Sequence, residues 1–333
     1  MARATPPLAS RAVARCFVTR RLPGRALERL RAEHEVEVWP GRLPPPTGRL
    51  RELAGDAEGL LSMLTDRVDA ALIEACPELR AISNFAVGWD NVDVATATAR
   101  GIPVGYTPDV LTEATADATF ALLLAAARRI VEATHAVRAG RWLTWEPDAF
   151  LGQEVHGATI GIVGMGRIGR AVARRAEGFE MRVLHTGSEG GTPLDELLDA
   201  ADFVSLHTRL TPETRGLIGE RELRHMKETA ILVNTSRGAI VDTDALECAV
   251  RERWIAGVAL DVTDPEPLPH AHPLLRLPNV IVVPHIASAS RKAREAMADI
   301  AVDNLLAAFR GERMGSCVNP EVYEGAELTP RSP

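Results

Sequence analysis

Short apolar runs and helix-length patches alternate along the first hundred residues of the chain. Strand-like runs fall at Cys16–Thr19, Glu35–Trp39, Gly59–Met63 and Arg80–Asn84. The Leu43-Pro-Pro-Pro-Thr-Gly stretch is a surface loop by composition. From Thr112 to Arg129 the pattern becomes an Ala- and Leu-rich run whose apolar residues cover most of a helix circumference, the mark of a helix buried on several sides. Beyond Ala158, near-continuous aliphatic runs recur with helical stretches between them: Thr159–Val163, Arg182–His185, Phe203–Leu206, Ile231–Asn234, Val258–Asp261 and Val280–Val283. Strands this apolar are covered on both faces, so the pattern predicts a parallel sheet with helices on either side. The stretch Arg291–Phe309 reads as an amphipathic helix with Ala293, Ala296, Met297, Ile300, Asn304 and Leu305 along one side. No internal repeat is visible, and 333 residues suggest two α/β domains.

Composition narrows the function classes. With 46% apolar and 25% charged residues the chain can fill two ordinary cores. A net charge of −7 and a pI of about 5.8 argue against nucleic acid or an anionic membrane as partner. Cys16, Cys76, Cys248 and Cys317 form no C-x-x-C pair and have no His at ligand spacing, so a reduced chain without a metal site is expected. The longest apolar run, Phe120 to Ala127, is too short to span a bilayer. Six arginines precede the first acidic residue, Glu28, which is transit-peptide-like, but the strand run at Cys16 begins too early to leave room for one. A cytoplasmic protein is the expectation.

Candidate chemistry begins at Gly164-Met-Gly166-Arg167-Ile168-Gly169. Alone, G-x-G-x-x-G is weak evidence. Here it follows the strand run Thr159–Val163 and opens a helix, Arg167 to Ala176, which is the context of a dinucleotide fingerprint. Gly164 would make the tight turn, Gly166 would admit a pyrophosphate, and Gly169 would let helix and strand approach, with helix N–H groups facing the anion. Downstream, polar residues end three successive strands: Arg237 in Asn234-Thr235-Ser236-Arg237-Gly, Glu266 in Asp261-Val-Thr-Asp-Pro-Glu266-Pro, and His285 after Pro284. Open α/β sheets place their ligand crevice at these ends, so the three residues are expected to converge beside the cofactor.

At these residues the sequence resembles the D-isomer-specific 2-hydroxyacid dehydrogenases, and within them the glyoxylate/hydroxypyruvate reductases. The resemblance runs from Phe17-Val-Thr-Arg-Arg to Asn304-Leu-Leu-Ala-Ala-Phe-Arg-Gly-Glu. Its most specific runs are Gly105-Tyr-Thr-Pro-Asp-Val-Leu-Thr, Met226-Lys-Glu-Thr-Ala, Leu260-Asp-Val-Thr-Asp-Pro-Glu-Pro-Leu-Pro and His272-Pro-Leu-Leu. It implies that Arg237 binds the substrate carboxylate and polarises the keto oxygen, that His285 is the general acid, and that Glu266 orients the imidazole. It further implies a carboxylate-holding loop at Ala86-Val87-Gly88, an apolar pocket wall at Leu64, and Trp145 reaching into a neighbouring subunit's site. Thr186, Ser188, Thr208, Thr235, Ser236, Asp261 and Ser288 join the fingerprint as expected cofactor-binding positions.

The implied architecture is two Rossmann-like domains with parallel sheets, one flavodoxin-like and one dinucleotide-binding, with the active site in the interdomain cleft. Residues 1–108 with 291–333 would form the substrate domain, and 109–290 the NAD(P)-binding domain. A homodimer is expected, built by the Thr112–Arg129 helix, which would otherwise expose a large apolar patch, and by the Trp142–Phe150 arm.

The chain departs from the family pattern in three places. Ala287 stands where Gly is usual after His-Ile, and the stretch between Thr186 and Ala201 is short. Thr186 itself occupies the place where NAD enzymes hold an acid. That missing acid favours NADP over NAD, with Arg209 as a candidate cation. Against it, Glu189 carries the wrong sign, and use of both cofactors stays open. Other family activities, of D-lactate or phosphoglycerate type, are rivals for the substrate. A nucleotide-sensing scaffold is the non-enzymatic rival, although such a protein has no need of Arg237, Glu266 and His285 in register.

Overall fold

The computed structural model describes residues 13–324. The arginine-rich opening up to residue 12 and the end of the tail, 325–333, lie outside the described residues, with the targeting and domain readings that touch them. The chain divides between Leu111 and Thr112 and again between Ala289 and Ser290. These divisions lie slightly inward of the boundaries expected at 108 and 290. Ser290 belongs with the last helix, because its hydroxyl accepts the Ala293 N–H and caps that helix.

In the first unit, β1 (Arg15–Val18), α1 (Ala26–Glu33), β2 (Glu35–Val38), α2 (Thr47–Ala54), β3 (Gly59–Met63), α3 (Ala70–Glu74), β4 (Ala81–Phe85), α4 (Val94–Ala99) and β5 (Val104–Gly105) succeed one another. The five strands are parallel, in the order β2-β1-β3-β4-β5. The hydrophobic pattern misses β5 because it is only two residues long. Gly105 is there because a Cβ would press on the Asn304 side chain, 2.6 Å from its Nδ2.

The second unit opens with α5 (Thr112–Ala127) and α6 (Ile130–Arg138). Then β6 (Thr159–Val163), α7 (Arg167–Glu177), β7 (Arg182–Thr186), α8 (Leu194–Ala200), β8 (Phe203–Leu206) and α9 (Glu220–His225) follow. Next come β9 (Ile231–Asn234), α10 (Thr243–Arg251), β10 (Gly257–Leu260) and β11 (Val280–Val282). All six strands are parallel, in the order β11-β10-β9-β8-β6-β7. The chain leaves β6 in one direction for β7 and returns on its other side as β8, so the sheet has its switch point between β6 and β8. One apolar cluster lies on each face: Leu197, Leu232 and Leu246 belong to one, Phe120, Ile160 and Phe203 to the other.

Two helices differ from their sequence reading. Helix α5 is expected to leave an apolar face bare, yet Phe120, Leu122, Leu123 and Ala127 are buried against α7, β9, β10 and β11 of the same unit. The outer edge of its first half is polar, with Glu113 and Asp117 exposed and Asp117 2.6 Å from the Arg175 guanidinium. It stops at Ala127, and Arg129 takes a left-handed φ of +51°. Exposed apolar surface lies instead on α6 and the segment after it: Ile130, Val137, Trp142, Leu143, Trp145 and Leu151. The last helix, α11 (Arg291–Phe309), returns to the first unit. It is not one-sided: Ala298, Ala301, Val302 and Leu306 are buried as well as Met297 and Leu305, because β3, β4 and α1 all pack on it.

Candidate functional site

The turn after β6 shows which of its glycines serve the protein and which leave room for something else. Gly164 has φ +100°, and a Cβ there would lie 2.6 Å from the Thr208 nitrogen. A Cβ on Gly169 would collide with the Gly164 carbonyl oxygen. Both positions are closed by the chain itself. A Cβ on Gly166 would meet nothing within 4 Å. Gly166 is the N-cap of α7, so the open space lies at a helix N-terminus, where unpaired N–H groups and the helix dipole favour an anion. The residues therefore fit a dinucleotide pyrophosphate. Arg167 and Ile168 form the first turn of α7, and Thr208 lies against Gly164 from the end of β8. Thr186 ends β7, its carbonyl accepting the Gly164 N–H at 2.8 Å, and Ser188 is exposed just beyond.

The second feature joins the ends of β9, β10 and β11. Asn234, buried at the end of β9, shapes the turn after it: its Oδ1 accepts the Ser236 N–H and its Nδ2 donates to the Arg237 carbonyl. Thr235 is held from behind by a 2.9 Å hydroxyl contact with Thr119 of α5. Immediately after Arg237, the Thr263–Asp264 backbone crosses Gly238 so closely that a Cβ would overlap the Thr263 carbonyl and lie 2.6 Å from the Asp264 nitrogen. Thr243 adds a hydroxyl bond to the Asp264 carbonyl at 2.7 Å. The Arg237 turn and the Glu266 loop are thereby locked together.

Glu266 and His285 are in contact, Oε1 to Nδ1, at 2.7 Å, both side chains mostly shielded from solvent. Burial pushes the Glu266 carboxyl up, but the His285 bond and charge, the Thr263 N–H and the Arg237 charge outweigh it and hold it below the usual carboxylate range. His285 sits at φ +52°, an uncommon conformation for a non-glycine residue. Asp261 maintains it: its carbonyl accepts the His285 N–H, and its carboxylate accepts the Ile286 and Ala287 N–H groups at 2.6 and 2.9 Å. Burial raises the Asp261 carboxyl despite those bonds. Ala287 is buried and Ser288 half-buried beside it.

In the first unit, Leu64 follows β3, and Ala86-Val87-Gly88 follows β4. Two asparagines tie these loops together. Asn91 donates to the Met63 and Asp66 carbonyls, and Asn84 bonds Asn91 and the Gly88 carbonyl at 2.9 and 3.0 Å. Trp145 is 80% exposed. Gly238, Asn84, Asn91 and Thr119 escape the sequence reading. Gly238 alone left a signal, as a glycine directly after a strand-end arginine; the others act through side-chain bonds that the hydrophobic pattern does not mark. Among the described residues no group of three His, Cys, Asp or Glu side chains could hold a metal ion, and no helix is long and apolar enough to cross a membrane.

Residues 120–287 match the family model described as the NAD-binding domain of D-isomer specific 2-hydroxyacid dehydrogenases. A glyoxylate reductase of Korarchaeum cryptofilum is 52% identical over 322 residues, covering 93% of this chain and 97% of that protein. One of Thermococcus gammatolerans is 49% identical over 323 residues, covering 92% and 96%. Among solved structures, a Thermus thermophilus protein of 50% identity superposes with a TM-score of 0.87, covering 91% of this chain and 99% of that one. An NADPH-dependent glyoxylate/hydroxypyruvate reductase of Sinorhizobium meliloti, solved with NADP and malonate, has 33% identity and a TM-score of 0.82, covering 96% and 99%.

The glycines give a contrast to test. Gly169→Ala and Gly238→Ala, which force overlap, are expected to destabilise the protein by about 1–3 kcal/mol in urea unfolding. Gly166→Ala should stay within about 0.5 kcal/mol of wild type, yet lose dinucleotide affinity by roughly tenfold or more. Normal binding by Gly166→Ala would place the pyrophosphate elsewhere.

Proposed function

The chain belongs to the D-isomer-specific 2-hydroxyacid dehydrogenase family, and from that premise we propose that it reduces glyoxylate and hydroxypyruvate to the 2-hydroxy acids with NADPH. The observation that carries the reading is the 2.7 Å Glu266–His285 contact, with Arg237 locked beside Glu266 through Gly238. When bound, the nicotinamide supplies the hydride. Arg237 holds the substrate carboxylate with its guanidinium fork and draws electron density toward the keto oxygen. The Nδ1 of His285 faces Glu266, so Nε2 is the nitrogen that gives its proton to that oxygen as the carbon is reduced. Glu266, ionised, supports the imidazolium before transfer and water reprotonates the ring afterwards. Asp261, Thr235, Ser236 and Ser288 line the cofactor, Val87 and Gly88 offer backbone N–H groups to the substrate carboxylate, and Leu64 supplies an apolar wall.

Supporting NADPH are the absence of an acid at Thr186, the hydroxyls of Thr186 and Ser188, and the NADPH-dependent relative from Sinorhizobium meliloti. The protein acts as a cytoplasmic homodimer in this reading. The exposed apolar residues of α6 and of the 142–151 segment form the interface, and Trp145 completes the partner's pocket.

Adding glyoxylate to the protein with NADPH should consume NADPH absorbance, which a nucleotide sensor would leave unchanged. His285→Ala is expected to lower turnover by about 10²- to 10⁴-fold while cofactor still binds; near-normal turnover would remove His285 from the mechanism. Glu266→Gln removes the charge that favours the imidazolium, so the fall in reduction rate at high pH should move toward lower pH. Light scattering should give the mass of two chains, and a fully active monomer would refute the interface. The ratio of kcat/KM for NADPH to that for NADH should exceed one and fall in Arg209→Ala; a wild-type ratio favouring NADH defeats the preference.

A further inference from the structure

The segment after β7 is short and closed on itself. The Thr192 N–H bonds the His185 carbonyl at 2.7 Å, and the Gly190 N–H bonds that of Gly187 at 3.1 Å. Gly191 has φ +118°, and a Cβ there would collide with the His185 carbonyl, so the turn cannot open without breaking that contact. Its first residue leans on the fingerprint: a Cβ on Gly187 would lie 3.6 Å from the Met165 nitrogen. The turn therefore occupies the end of the second strand of the nucleotide fold, where an acid ordinarily meets the ribose 2′-hydroxyl. Thr186 supplies no acid there, but Glu189 at the tip of the turn does. Its carboxylate lies 4.0 Å from the Arg170 guanidinium, which projects from the first turn of α7, one residue past Gly169. Both side chains are exposed, at 55% for Arg170 and 88% for Glu189. One positive and one negative side chain thus stand at the end of β7, where the dinucleotide fold would bring the adenosine ribose.

We propose that Arg170 and Glu189 are an exchangeable ion pair that sets the choice between NADPH and NADH. A pair this exposed holds its partners weakly. The 2′-phosphate carries more charge than a carboxylate and suits the guanidinium fork, so it takes Glu189's place on Arg170. With NADH the pair persists, and Glu189 offers the 2′-hydroxyl the one carboxylate within the turn. Glu189 is the carboxylate missing from the strand end, moved three residues along a shortened loop and opposed by a cation from the facing helix. Arg170 therefore favours NADPH and Glu189 opposes it.

The inference rests on the dinucleotide site proposed above, and calorimetric titration of the full-length protein with NADPH and with NADH separates the two. Arg170→Ala should weaken NADPH roughly tenfold and NADH by less than about twofold. Glu189→Gln should tighten NADPH by about threefold or more, and added salt should shrink both effects. A ratio of the two dissociation constants unchanged within about twofold in both variants overturns the pair while leaving the dinucleotide site standing. An equal loss for both cofactors in Arg170→Ala also overturns it, since that residue would then serve the part the cofactors share. If wild type binds neither cofactor, the dinucleotide site and the pair fail together.

Discussion

No side chain fits at residue 238, because the Thr263–Asp264 backbone occupies the space a Cβ would need. That close crossing holds two loops from neighbouring strands in one place. Arg237 leaves the first loop one residue earlier, and Glu266 sits in the second. Glu266 then fixes the ring of His285, and Asp261, at the root of the same loop, fixes its backbone through the next two N–H groups. Three strand ends become one site through a chain of contacts rather than by proximity in a sheet alone. Any change that widens the crossing misplaces the guanidinium relative to the imidazole.

Two carboxylates in this arrangement have opposite tasks. Glu266 faces charge and donors that hold its carboxyl low, so it stays ionised beside the His285 ring. Asp261 is buried, its carboxyl is raised, and its oxygens go to backbone N–H groups. It positions the His285 segment in a conformation L-residues rarely adopt, and the buried polar bonds offset that backbone cost.

Much of the second unit was legible in the sequence because its sheet is parallel and buried on both faces. The runs at Thr159–Val163, Phe203–Leu206 and Ile231–Asn234 have the same bounds as their strands, since near-continuous apolar stretches mark where polar chain begins. The strand-end positions of Arg237, Glu266 and His285 come from the same pattern. Their contacts do not: the Gly238 crossing, the Thr119–Thr235 contact and the Asn84–Asn91 amides join residues that the hydrophobic pattern leaves unconnected. Helix α5 shows the converse error. Its all-round hydrophobicity is real, but periodicity cannot say whether the covering surface belongs to the same chain, and here α7 and the sheet supply it.

The interrupted first unit has a consequence for how the chain is made. Its sheet begins at Arg15, yet α11, which covers β3 and β4, ends at Phe309, and the Val104 N–H is satisfied by Asn319. The second unit has its last strand by Val282. During synthesis the nucleotide-binding unit therefore has every strand of its sheet while the first still lacks a helix of its core. The first unit must hold its apolar strands unfinished until its most sequence-distant contacts close, and contacts of that separation are the slow ones. Helix α1 and strands β3 and β4, all made early and all packed on α11, are thus the stretches of chain that wait for its cover.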